Sequence, residues 1–316
     1  MTYSSGGLIQ ATDYNGFVST TVAANINATW NTAYGQTALG TVSSGGTVTA
    51  TQWASLVNTI TSMAAHQPTT ITARTAPVTG NTISILAAVN TDITNCFTNR
   101  YNAYAQGSQF TGWTGTNSKT TDTSGASWAI TFTNTVTFAN ATAATNFFNS
   151  GGTVKIDVAK SSTGQLGDPE WNDLATTLCG DIYISGLATA HTIAGVSYTG
   201  TTKIGGTGTP TTLSTATGWD ALVAGAAATI VYKQFADTAP YTSNFIQHSI
   251  AKGASSTTLV ITTLWQNTDS DVITGGTAPS GATPGTAPCT IVTYYPPEST
   301  YLTNTWGTPT VAATTV

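Results

Sequence analysis

Apolar positions along this chain follow two different periods. Through the first hundred or so residues they recur at steps of three and four, and from Trp128 onward they alternate. Tyr14, Phe17, Val18, Val22 and Ile26 form a helical stripe that predicts a helix running from Ala11 toward Trp30. Thr12 is its expected N-cap, with Asp13 in the first turn. After a turn at Ser43-Ser44-Gly45-Gly46 and a strand-like Thr47-Val48-Thr49, a second helix is expected from Ala50 to the stop at His66-Gln67-Pro68. Its start repeats the first in outline: Ala-Thr, a polar residue, an aromatic, and a large apolar residue with Val (Phe17-Val18, Leu56-Val57). The match predicts two similar capped helices packed together. A third helix is expected over Ile83 to Tyr104, with Ile85, Leu86, Val89, Ile93, Phe97 and Tyr101 along one side.

The second regime has period two. Trp128, Ile130 and Phe132 share one face, as do Val136 and Phe138, and Val154, Ile156 and Val158; such alternation marks half-buried antiparallel strands. Further strands are expected at about 181–185, 191–198, 228–235, 245–250, 257–265 and 289–295. Two short helices interrupt them. One spans Ala141 to a glycine stop at Gly151-Gly152. The other begins with Asp168 as N-cap, Pro169 at the first helical position and Glu170 in the first turn. Thr/Gly/Pro-rich turn segments lie at 199–217 and 274–288, and the tail from Trp306 reads as extended. The predicted fold is α+β, mainly β: a helical region over 1–105, a Gly/Thr/Ser-rich linker at 106–125, and an antiparallel, sandwich-like body over 126–316 with short helices and an extended tail.

Composition narrows the function. Charged residues make up only 7% of the 316, against about 25% in ordinary soluble domains, while 40% are hydrophobic. Thr, Ser, Asn and Gln therefore have to wet the surface. Hydroxyls and amides cost far less to desolvate than charges, so such a surface can be buried against a neighbouring subunit in contacts that depend little on salt. A net charge of −5 and the lack of any basic cluster exclude a nucleic-acid partner. No run is long and apolar enough to predict membrane insertion, and the N-terminus lacks the pattern of a secretory signal. Cys96, Cys179 and Cys289 are odd in number and widely spaced, which predicts free buried thiols rather than a zinc or redox motif.

Candidate chemistry is sparse. No nucleophile elbow, zinc-protease, Walker or dinucleotide motif occurs, and no catalytic, cofactor or metal residue is assigned. His66, His191 and His248 are far apart and read as hydrogen-bonded structural histidines. Asp269 and Asp271 sit in an Asx-rich stretch that can offer oxygens to calcium, although a hairpin turn explains them better. Asp168, Glu170 and Asp173 have the residue types of a glycosidase carboxylate set, and helix capping accounts for them. Trp113, Trp265, Tyr294, Tyr295, Tyr301 and Trp306 are candidates for a sugar-stacking platform or an inter-subunit contact, Trp265 being the one expected in the core.

Several strings taken together resemble structural proteins of tailed bacteriophages, of the tail- or neck-associated kind. They are Ala11-Thr-Asp-Tyr-Asn15, Tyr34-Gly-Gln-Thr37, Thr49-Ala-Thr-Gln-Trp53 with His66-Gln67, and Asn146-Phe-Phe-Asn-Ser-Gly-Gly152 followed by a strand and the helix from Trp171 to Leu178. The resemblance covers roughly residues 8–67 and 140–185. It implies a virion component, assembled in the host cytoplasm, with no enzymatic activity or cofactor. Expected partners are copies of itself, other virion proteins of the tail, neck or portal-proximal region, and a host surface glycan. The expected role is a tail, neck or fibre-like appendage that docks through its N-terminal region. A capsid decoration protein, or a secreted carbohydrate-binding adhesin or surface-layer subunit, are the alternatives.

Overall fold

Both periodic regimes fold as elements in the computed structural model, which describes residues 10–19, 24–80, 86–108, 117–118, 128–160, 168–268 and 289–315. The first helix, α1 (Ala11–Val18), is capped two residues earlier than predicted. Gln10 is its N-cap, and the Gln10 amide donates to Asp13 Oδ2 at 3.1 Å, so Thr12 lies inside the first turn. It also ends sooner. Ser19 is extended, and the Val18 carbonyl left over at the helix end accepts from Asn27 Nδ2 at 2.7 Å. The same Asn27 side chain bonds the Leu39 amide and carbonyl, tying three segments together. Val22 of the predicted stripe lies outside the described residues. The chain resumes as a π-helical stretch at Ala28–Ala33.

Helix α2 (Ala50–His66) is capped reciprocally: Gln52 N donates to Thr49 Oγ1 at 3.2 Å, and Thr49 N donates to Gln52 Oε1 at 2.9 Å. Thr47-Val48 is not a strand; it leads into this cap. The repeated pattern thus has a physical content. Asp13 and Gln52 complete the two caps, and the matched aromatics Tyr14 and Trp53 meet with ring centroids 6.2 Å apart, Phe17 adding a second contact at 5.9 Å. Helix α3 (Leu86–Thr98) stops short of Tyr104 because the chain turns to join a strand: Ala103 N donates to Thr192 O and Tyr104 N to His66 O.

The remaining elements are β1 (Asn117–Ser118), β2 (Trp128–Thr137), α4 (Ala141–Asn149), β3 (Thr153–Ala159), α5 (Asp168–Asp173) continued by a π-helical turn at Leu174–Leu178, and β4 (Asp181–Ile184). They continue as β5 (His191–Ile193), β6 (Val196–Tyr198), β7 (Thr201–Ile204), β8 (Thr212–Leu213), β9 (Thr229–Phe235), β10 (Phe245–Lys252), β11 (Thr258–Asn267), β12 (Cys289–Tyr295) and β13 (Thr310–Thr315). Two details correct the sequence reading. The expected strand at 191–198 is a tight hairpin, because Ala194 and Gly195 both take positive φ (51° and 80°), the geometry of a two-residue turn that follows the strand twist. Part of the expected linker is strand, since β1 pairs with β12, and Gly107 N bonds Pro296 O at 2.8 Å.

Two antiparallel sheets form the body, in the orders β1-β12-β3-β4-β7 and β13-β2-β11-β10-β9-β8. Their alternating inward residues (Val154, Ile156, Ile182, Ile184 and Val292 from one, Ile130, Phe132, Val136, Ile246 and Ile261 from the other) belong to one continuous core. A bulge between His248 and Ser249 shifts the β9–β10 register and turns both Val231 and Tyr232 inward. Helix α5 brings Trp171 onto the six-stranded sheet, 4.9 Å from Trp128 and 5.7 Å from Trp265. Phe147 of α4 touches Phe138 and Tyr294 and so bridges the sheets. The core cluster also takes in Tyr14, Trp53, Ile60 and Val89, so the helices and the sheets share one interior. Polar contacts reinforce the joint: Gln36 exchanges two bonds with the Thr303 backbone at 2.8 and 3.0 Å, and Thr305 Oγ1 donates to Tyr34 O at 2.7 Å. The architecture is α+β, with a sheet-rich antiparallel body.

Candidate functional site

The histidines are kept apart and each is bonded. His66 Nε2 lies 3.1 Å from Ser150 O, His191 Nδ1 2.9 Å from Thr189 O, and His248 Nδ1 2.9 Å from Thr263 Oγ1. Burial pushes the pKa of all three down, to about 4 for His66 and about 3 for His248. Cys96, Cys179 and Cys289 are free and buried, and desolvation pushes Cys96 and Cys179 up to about 12, where the nucleophilic thiolate is scarce.

Of the predicted carboxylate set, Glu170 and Asp173 converge with Asp237, their oxygens within 4.8 Å of one another. Glu170 also accepts from Thr238 N at 3.4 Å. Partial burial, and then the neighbouring carboxylates, push its pKa up, and Asp237 is open to solvent. The Asp168 side chain, Asp269, Asp271 and Trp113 lie outside the described residues. Among the described residues a second charge cluster forms: Lys155 on the outer face of β3 sits 3.5 Å from Asp157 and 3.4 Å from Asp181. Alternation pointed Lys155 and Asp157 outward, but the β3–β4 pairing that brings in Asp181 is a tertiary fact.

The aromatic candidates divide. Trp265 is core, as predicted. Tyr294 and Trp306 are buried too, 1% and 2% exposed, so neither offers an open ring face for stacking. Tyr301 is 38% exposed and packs edge-on against Tyr104 at 5.2 Å. Even so, the segments Tyr294–Pro297 and Asn304–Thr308 converge on one cleft of about 330 Å³. Trp306, Tyr294, Pro296 and Pro297 form its walls, and Glu298, Asn304, Ser108, Ser299 and Thr308 supply polar groups.

Two further surface features stand out. A second cleft of about 370 Å³, without a charged residue in its lining, opens in the helical region between Tyr14, Trp30, Leu39 and Gln52. Across the body, the segment Val223-Ala-Gly-Ala-Ala-Ala-Thr-Ile230 is exposed at every residue, Val223 at 71% and Ile230 at 45%. It is a fixed tongue. Gly225 N bonds Lys252 O at 2.9 Å, Ala226 N bonds Val223 O at 3.2 Å, and Thr229 and Ile230 are already paired with β10. Only the solvent exposure of this stretch needed the structure; its lack of charge is plain in the sequence. Among the described residues no helix is long and apolar enough to cross a membrane. Comparisons with protein-family models, curated proteins and solved structures find no match to this chain.

Proposed function

We propose that this chain is a structural subunit of a tailed-phage particle, a tail, neck or fibre-like component that self-assembles through neutral surfaces. The observation that carries the reading is the tongue at 223–230. Eight consecutive exposed residues without a charge, held by backbone bonds, form an apolar surface of the kind that marks protein–protein contacts. The uncharged cleft by Tyr14 and Trp30 is a receptor of matching chemistry on the same chain. Contact between tongue and cleft of successive copies is heterologous, and such contacts close into rings or extend as fibres. The sparse charge supports this reading further, because little ionic solvation has to be removed when copies meet.

Light scattering on the purified chain, at low salt and in molar salt, tests this. The expected result is an oligomer of unchanged mass in both, and a shift toward monomer in the V223D/I230D double variant. Monomer at both salt concentrations overturns the self-assembling subunit.

A further inference from the structure

We propose that the cleft between the β12–β13 connection and residues 107–108 is a binding site for a neutral saccharide. The inference goes beyond assembly and stands without it, since a monomer can bind sugar. Among the described residues Glu298 is the one carboxylate in the cleft's lining, and that side chain is held in place: Oε1 accepts from Ser299 N at 2.8 Å, Thr300 N at 3.0 Å and Thr300 Oγ1 at 2.9 Å. Three donors on one oxygen fix the carboxylate and leave Oε2 as the acceptor for a ligand. Asn304 is fixed in the complementary sense. Its Oδ1 accepts from Gly307 N at 2.8 Å, which leaves the amide NH₂ as a donor.

A fixed acceptor and a fixed donor in the same cleft select the ligand. An ammonium group can only donate, so it serves Glu298 and gives Asn304 nothing. A carboxylate or phosphate can only accept, and Glu298 repels it. A hydroxyl does both, and adjacent ring hydroxyls can serve Glu298 and Asn304 together, with the hydroxyls of Ser108, Ser299 and Thr308 as further partners. Of the apolar wall residues Pro296 is the partly exposed one, and its ring suits the C–H face of a sugar. The volume, about 330 Å³, falls at the small end of ligand pockets and fits a mono- or disaccharide unit. The walls are also fastened before any ligand arrives: Gly107 N bonds Pro296 O at 2.8 Å, and Gln106 bridges to Pro297. A pinned cleft loses less freedom on binding than a loose one.

Saturation-transfer NMR on the full chain, with glucose, galactose, mannose, N-acetylglucosamine and N-acetylgalactosamine as probes and glucuronic acid as the anionic control, tests the site. At least one neutral sugar should bind with a millimolar Kd, and glucuronic acid should bind more weakly. E298Q keeps the oxygen that accepts from Ser299 and Thr300 but replaces the free acceptor with a donor. It should weaken binding by roughly tenfold with an unchanged melting temperature, and N304A should weaken it as well. Y301A, on a residue outside the lining, should leave the affinity unchanged and so reports whether a loss is local. The proposal is overturned if no neutral sugar in the panel binds, if glucuronic acid binds best, or if E298Q and N304A both bind like the parent chain.

Discussion

His66 and His248 are held neutral in the interior, and this makes the stability of the fold depend on pH. His248 stacks on Tyr232 (ring centroids 5.3 Å apart, planes at 18°), bonds Thr263 through Nδ1, and has no partner for Nε2 among the described residues. His66 packs edge-on between Tyr34 and Tyr104, with its Nε2 at Ser150 O and the Glu298 carboxylate as the one charged group acting on it. Burial lowers both pKa values from 6.5, to about 4 and about 3. The unfolded chain therefore takes up a proton at each site below pH 6.5 that the folded chain refuses. Stability is complete above that pH and is lost as the pH falls toward the folded values. The slope is about 1.4 kcal/mol per pH unit for each histidine, so at about pH 5 each costs roughly 2 kcal/mol and the pair roughly 4. That is a large fraction of the ~5–15 kcal/mol that holds a typical domain. Burial has raised the pKa of Asp157, Asp220 and Glu170, whose proton uptake opposes the trend, so the parent curve alone is not decisive. The decisive quantity is the difference between the parent and H248Q, from urea unfolding at about pH 8 and about pH 5. Whatever the variant costs at pH 8, its loss on acidification should be smaller than the parent's by roughly 2 kcal/mol. Equal losses in both proteins would refute a neutral His248 in the folded core.

Other perturbations read other parts of the structure. Asn134 is fully buried on the inward face of β2, with no partner among the described residues for either amide atom. Asn134→Leu should therefore raise stability by about 1–3 kcal/mol in denaturant titration. Asp92→Asn should lower it by about 3–5 kcal/mol, because it strips the charge partner from Arg74, whose guanidinium is itself buried. Thr49→Ala removes the side-chain acceptor for Gln52 N, and should cost about 1 kcal/mol in the same assay. Ellman's reagent should find all three thiols unreactive in the native protein and fully reactive in urea, consistent with their burial.

How much of this was legible in the sequence depends on the range of the interaction. The strands were legible because alternation is set by the pleat itself: β10, β11 and β12 lie within a few residues of their expected positions, and Lys155 and Asp157 face outward as the pattern requires. The α2 cap is also a local signal, Thr49-Ala-Thr-Gln52, although the sequence reading put Thr49 in a strand. Other departures from the pattern required a partner from far along the chain. The break after Val18 depends on Asn27 and Leu39, the end of α3 on Thr192, and the Lys155 cluster on Asp181. The 191–198 hairpin was hidden because Ala194 is an unusual residue for a positive φ, so no Asn-Gly or Asp-Gly signal announced the turn. The cleft is half legible: the aromatics of both segments stand out in the sequence, but in the fold those rings are buried in its walls, and Glu298 and Asn304 supply its fixed polar groups.

That exchange of roles follows from the composition. Large aromatics add heavily to the apolar burial of this core, and a Trp or Tyr contributes most when its whole surface leaves water. Trp171, Trp219, Trp265 and Trp306 are accordingly all within 2% of full burial. Small apolar side chains are cheaper to expose, and the exposed stretch at 223–230 is mostly alanine, with Val223 and Ile230. The polar recognition proposed for the cleft then rests on Glu298, which local backbone bonds hold in one orientation. Charge-swapping the exposed surface tests this division. V223D and I230D should change the mass in solution without changing sugar affinity, and E298Q should do the reverse. If either variant moved both readouts, assembly and sugar binding would share one surface, and the separation argued from the geometry would be wrong.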